Sequence, residues 1–159
     1  MSSFKESLAS ARGKHPENTE LSPREMASEL FEELVEYHVA MYDEDQLAAF
    51  VELFDIAVVA FRIMCGEFKH EQEDEGRPSE EKNMQDVTAM YHNLNVMKLD
   101  WESYHDALSG MAVSLSVDMY MIDRGDDIDF DYVDEAGTLA AYALSCANWL
   151  QERALGGGK

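Results

Sequence analysis

Apolar residues along this chain recur every three or four positions, and no stretch keeps the two-residue alternation of a strand, so the pattern predicts an all-α fold. Ser22-Pro23-Arg24-Glu25 opens the first long helix: Ser22 caps it, Pro23 suits the first turn and Glu25 completes a capping box. That helix runs to about Tyr42, with Leu30, Phe31, Leu34, Val35, His38 and Val39 on its apolar face. The acidic turn Asp43-Glu44-Asp45 starts a second helix, which reaches about Cys65 and stops at Gly66. Three more helices are expected over about 80–97, 100–123 and 132–154. In the last, Ala136, Ala140, Ala143 and Ala147 fall near one stripe, which permits close packing within the chain or across a subunit interface. Residues 1–20 read as a polar arm with at most a short helix, residues 67–79 as an acidic linker, and residues 156–159 as a tail. The expected organisation is one domain over 21–155, an antiparallel bundle of about five helices. A helical hairpin over 22–66 lies at its centre, and the C-terminal helices cover 80–154.

The second helix poses a question. Between Gln46 and Met64 its only charged residues are Glu52, Asp55 and Arg62. At 100° per residue these three fall within a sector of about 80°. One thin polar stripe on an otherwise apolar helix suggests the floor of a cleft rather than open surface. A buried carboxylate without a partner costs several kcal/mol, so solvent, a basic partner or a metal ion must compensate it.

Counting outward from the turn proposes an answer. Residue 44 is midway between Glu36 and Glu52, and also midway between Glu33 and Asp55. An antiparallel hairpin then sets Glu36 level with Glu52 and Glu33 level with Asp55, at roughly 12 and 16 Å from the turn. Within each helix the pair is spaced i, i+3 and shares a face. Four converging carboxylates make a hard oxygen site that suits one or two Mg²⁺ or Mn²⁺ ions. On the first helix alone, the stripe Glu25, Glu29, Glu33 and Glu36 also fits a solvated surface.

Composition narrows the field. The chain has 159 residues and 46% hydrophobic content, enough for one folded domain, and a net charge of −21 that disfavours contact with a nucleic-acid backbone. No apolar run approaches the roughly 20 residues that span a bilayer, and the first residues lack the apolar core of a signal peptide, so a cytoplasmic protein is expected. Cys65 and Cys146 lie in helical apolar patterns far apart in sequence and read as reduced, buried thiols. No CxxC or Cys/His spacing suggests zinc.

The motif Glu32-Glu33-x-x-Glu36 followed, after 15 residues, by Glu52-x-x-Asp55 resembles the MazG-like all-α nucleoside triphosphate pyrophosphohydrolases, a superfamily that includes the dimeric dUTPases and phosphoribosyl-ATP pyrophosphohydrolase. The resemblance covers about residues 21–100. It implies that Glu33, Glu36, Glu52 and Asp55 hold Mg²⁺ or Mn²⁺. It also implies cleavage of a nucleoside triphosphate between the α- and β-phosphates, and assembly as a dimer or tetramer. A glutamate not fully engaged by metal (Glu32, Glu33 or Glu36) would accept the proton of water. A second element, His92-x-x-Asn95-x-x-Lys98, is similar to an HxxNxxK element that follows the hairpin in many members. His92, Asn95 and Lys98 are therefore candidate substrate ligands, as is Arg62 for an outer phosphate. The acidic linker and the last 55 residues depart from the pattern and leave the base and sugar open. Two other functions fit the composition. One is an acidic decoy that mimics DNA towards a basic protein partner, and the other is a silent helical scaffold that keeps the hairpin without turnover.

Overall fold

In the computed structural model, which describes residues 2–69, 79–126 and 131–155, the chain forms six α-helices with no strand among the described residues. They are α1 (Ser2–Lys14), α2 (Pro23–Tyr42), α3 (Gln46–Met64), α4 (Glu80–Met97), α5 (Trp101–Asp123) and α6 (Asp131–Leu155), with a 3-10 turn over Pro16–Glu20. Helix starts follow local chemistry. Glu25 N–H donates to Ser22 Oγ (3.1 Å) while Ser22 N–H donates to Glu25 Oε1 (3.2 Å), so both arms of the capping box form. Asp45, Ser79 and Asp100 cap α3, α4 and α5 by accepting from Ala48, Lys82 and Ser103 N–H.

Helices α3 and α6 pair at the centre. Helix α2 packs on α3, α5 packs on both α2 and α6, α4 lies on α6, and α1 lies on α3. The alanine stripe of α6 is fully used within the chain: Ala136, Ala140, Ala143 and Ala147 are all buried. At Gly137 of α6 an added Cβ would sit 2.8 Å from Met64 Cε at the end of α3, so the two helices approach closely there. Helix α3 is covered on three sides, and every residue from Ile56 to Met64 is buried. Each large apolar side chain buried there contributes about 1.5–3 kcal/mol relative to exposure.

Two features differ from the sequence pattern. The polar arm contains a 13-residue helix, α1, docked by Phe4 and Leu8. Phe4 meets Phe61 edge-on at 5.6 Å between ring centroids. The buried face of α2 is also rotated from the expected one. Met26, Ala27, Leu30, Leu34, Tyr37 and Ala40 face inward, while Phe31, Val35 and Val39 are exposed. Finally, the apolar breadth of α3 is taken up by α1, α2 and α6 of the same chain. Most of the expected acidic linker (residues 70–78) and the expected tail (156–159) lie outside the described residues. No helix among the described residues is long and apolar enough to cross a membrane.

Candidate metal and phosphate site

The α2–α3 hairpin turns through Asp43-Glu44-Asp45, with Glu44 in the left-handed region at φ 58°. It brings together carboxylate oxygens of Glu33, Glu36 and Glu52, all within 4.8 Å of one another. Glu33 and Glu52 are close enough to share a proton, and Glu36 approaches Glu52 from the same helix as Glu33. Asp55, one turn further along α3, lines a cleft together with Glu33. The four carboxylates expected to converge are thus neighbours. Glu32 is exposed and lies outside this group.

Burial and neighbouring carboxylates raise three of these carboxyls above their ordinary range. Burial, then proton sharing with Glu52 and the charges of Asp55, Glu52 and Glu36, push the Glu33 carboxyl up to about 9. Burial is the main cause that raises Glu52; Glu36 and Asp55 add to it, and the hydrogen bond with Glu33 opposes it. Burial and Glu36 raise Asp55, and Lys14 opposes them. Glu33 Oε2 and Glu52 Oε2 are buried without a hydrogen-bond partner. No Lys or Arg forms an ion pair with any of the four carboxylates among the described residues.

A second acidic group provides a control within the same molecule. Cys65, Glu67 and Glu80 also bring ligand atoms within 4.8 Å of one another. There the charge is already matched. Arg12 pairs with Glu67 (2.6 Å) and with Glu80, and Arg62 donates to Glu67 (3.0 Å). Among the described residues, arginines thus pair with the acids of this second group and none pairs with the Glu33 group.

Arg62 has a different place from the one expected of a phosphate ligand. The residue is only 2% exposed, and its guanidinium donates to His15 O (2.8 Å), Ala11 O (3.5 Å) and Glu67. It ties the end of α1 to α3, although its side chain still borders the cleft. His92 and Lys98 are exposed and Asn95 is half-buried on α4, which packs on α6. None of the three lines the cleft. Lys98 forms the C-cap of α4 in the left-handed conformation (φ 50°).

The cleft itself has a volume of about 580 Å³. Helix α1 supplies one wall, with Ser3, Ser7, Ser10 and Lys14, while α2 and α3 supply the other with Glu33 and Asp55. This wall escapes the sequence reading. The signal that could have revealed it is the spacing Phe4, Leu8 and Ala11, which is i, i+4, i+7 and marks one helical face. No protein-family model, curated protein or solved structure significantly matches the chain.

Proposed function

We propose that this protein hydrolyses a nucleoside triphosphate, with a deoxynucleotide as the favoured class, to the monophosphate and pyrophosphate at the Glu33–Asp55 cleft. One observation carries the reading: carboxylates from two antiparallel helices converge, with two buried oxygens unpartnered and, among the described residues, no basic residue paired to them. That donor set fits Mg²⁺ or Mn²⁺, which favour oxygen ligands and tolerate waters in the remaining positions. Glu33, Glu36, Glu52 and Asp55 are the residues that would hold it. A bound divalent ion would supply positive charge against the phosphate oxygens and acidify water at the site.

The chain's own groups account for the rest. Glu36, exposed at the rim of the group, accepts the proton of the attacking water. Oxygen attacks the α-phosphorus, the bond to the bridging oxygen of the β-phosphate breaks, and pyrophosphate leaves. Glu33 and Glu52 are half-buried, which makes their charge effects stronger than at an open surface. A resemblance to MazG-like pyrophosphohydrolases in the motif Glu32-Glu33-x-x-Glu36 and Glu52-x-x-Asp55 supports the reaction class. His92, Asn95 and Lys98 remain part of the proposal only as groups that a neighbouring subunit could present. A homo-oligomer belongs to the same reading. Phe31, Val35 and Val39 on α2 and Val113 and Val117 on α5 are exposed on two helices that pack side by side.

The test is release of pyrophosphate from a panel of deoxynucleoside and ribonucleoside triphosphates with Mg²⁺ or Mn²⁺. Metal-dependent turnover is expected for the native chain, with a loss of at least about 100-fold in Glu52→Gln and in Asp55→Asn, as for removal of a group that stabilises transition-state charge. Turnover that survives both substitutions, or that needs no metal, refutes the assignment.

A further inference from the structure

The cleft is acidic on both sides. Besides Glu33 and Asp55 it is lined by Glu6 from α1 and Glu29 from α2. A triphosphate entering it needs a cation from the protein as well as from solution, because each uncompensated carboxylate repels the phosphates. The cleft offers three basic side chains. Arg62 is committed to two backbone carbonyls and Glu67. His15 directs Nδ1 to Glu17 at 3.1 Å. Lys14 is exposed and forms no hydrogen bond or ion pair among the described residues.

The placement of Lys14 follows from how α1 is held. Phe4 and Leu8 fix one face of α1 in the core. Arg12 clamps Glu67 and Glu80, and Arg62 holds the carbonyls of Ala11 and His15. With that face fixed, the stripe Ser3, Ser7, Ser10 and Lys14 lines the cleft opposite the carboxylates. The ammonium is close enough to Asp55 to favour its ionised form.

We propose that α1 is the phosphate-binding wall of this cleft, with Lys14 meeting the outer phosphates of the substrate and the hydroxyls of Ser3, Ser7 and Ser10 donating to its remaining oxygens. The inference rests on the metal-dependent reading of the Glu33 site. It assigns α1 a function that the hairpin motif does not carry. Lysine suits this position as a mobile point charge with three donors, able to follow the phosphates as the product leaves.

The experiment is calorimetric titration of the full chain with Mn²⁺ alone, and then with an α,β-imido deoxynucleoside triphosphate in the presence of Mn²⁺. For Lys14→Ala the nucleotide analogue is expected to bind about 10- to 100-fold more weakly, the range for loss of a charge-assisted hydrogen bond. Mn²⁺ alone binds the same variant within about threefold of the native affinity, because charge is removed near the ligands without removing a ligand. Lys14→Arg recovers most of the analogue affinity. Ser7→Leu, which narrows the cleft without touching a carboxylate, weakens the analogue and spares Mn²⁺. Native analogue affinity in Lys14→Ala, with Mn²⁺ binding intact, overturns this inference and leaves the metal site standing. Absence of Mn²⁺ binding to the native chain overturns the metal reading, and this inference with it.

Discussion

Glu33 concentrates the cost of the site. Its folded carboxyl holds a proton up to about pH 9, against an ordinary value of 4.5, chiefly because it is buried and then because Glu52 shares the proton. From about pH 4.5 upward the unfolded chain releases that proton while the folded chain retains it. The folded state therefore binds more protons, and metal-free stability falls as pH rises through this window. Glu33→Gln removes that dependence. Its metal-free melting temperature is expected to exceed the native value at pH 8 by roughly 2–4 °C, corresponding to about 1 kcal/mol in a chain of this size, and to match it near pH 4.5. Mn²⁺ should raise the melting temperature of the native chain and leave Glu33→Gln nearly unmoved. Parallel pH slopes for the two proteins would contradict the assignment of the cost to Glu33. These acids were legible in sequence because Glu52 and Asp55 interrupt a helix that is otherwise apolar. Which pair shares the proton was not legible. Successive rungs lie only about 4.5 Å apart along the axis, within the reach of a glutamate side chain.

Helix boundaries followed from caps and breakers that act within a turn, so α2 and α3 could be placed from Ser22, the turn Asp43-Glu44-Asp45 and Gly66. Docking depends on distant partners and was harder to see. Only Phe4, Leu8 and Ala11 mark the buried side of α1, and its fastening by Arg62 and Glu67 involves residues about 50 positions away. The orientation of α2 was misjudged for a related reason. Phe31, Val35 and Val39 continue an apolar sector of the wheel, yet α3 and α5 engage the neighbouring sectors. Tyr37 O–H meets His105 Nδ1 at 2.8 Å, and His38 Nε2 lies 3.3 Å from Ser109 Oγ. Beyond these contacts, Phe31 is 60% exposed and Val39 54%, beside Val113 and Val117 at 58% and 51% on α5. Contiguous apolar surface of this kind on paired helices is commonly an interface, and a twofold axis would bury it against its own copy. Phe31→Glu is expected to halve the mass seen by light scattering while leaving the helix content unchanged. An unaltered mass, or a monomeric native chain, would refute a subunit contact through this face.

Across the molecule the formal charge is −21, and among the described residues some acids outside the hairpin are matched by bases while the Glu33 group is not. Arg12 and Arg62 neutralise Glu67 and Glu80, Arg24 pairs with Asp123 at 3.6 Å, and Lys82 pairs with Asp86 at 3.2 Å. Among the described residues the Glu33, Glu36 and Glu52 oxygens have no such partner, and the cleft that Glu33 and Asp55 line is also lined by Lys14. The sequence carried the all-α class and the hairpin because both rest on periodicity and short-range spacing. The cleft depends on α1 docking against α3, and the local spacing of Phe4, Leu8 and Ala11 marks an apolar face without telling what covers it. The decisive experiment is crystallisation of the native chain with Mn²⁺ and an α,β-imido deoxynucleoside triphosphate, followed by an anomalous difference map at the manganese edge. A peak bounded by the oxygens of Glu33, Glu36, Glu52 and Asp55, with the phosphates facing Lys14, is the predicted result. Peaks confined to other acidic surfaces, with Glu33 and Glu52 unchanged and unliganded, would contradict the proposal.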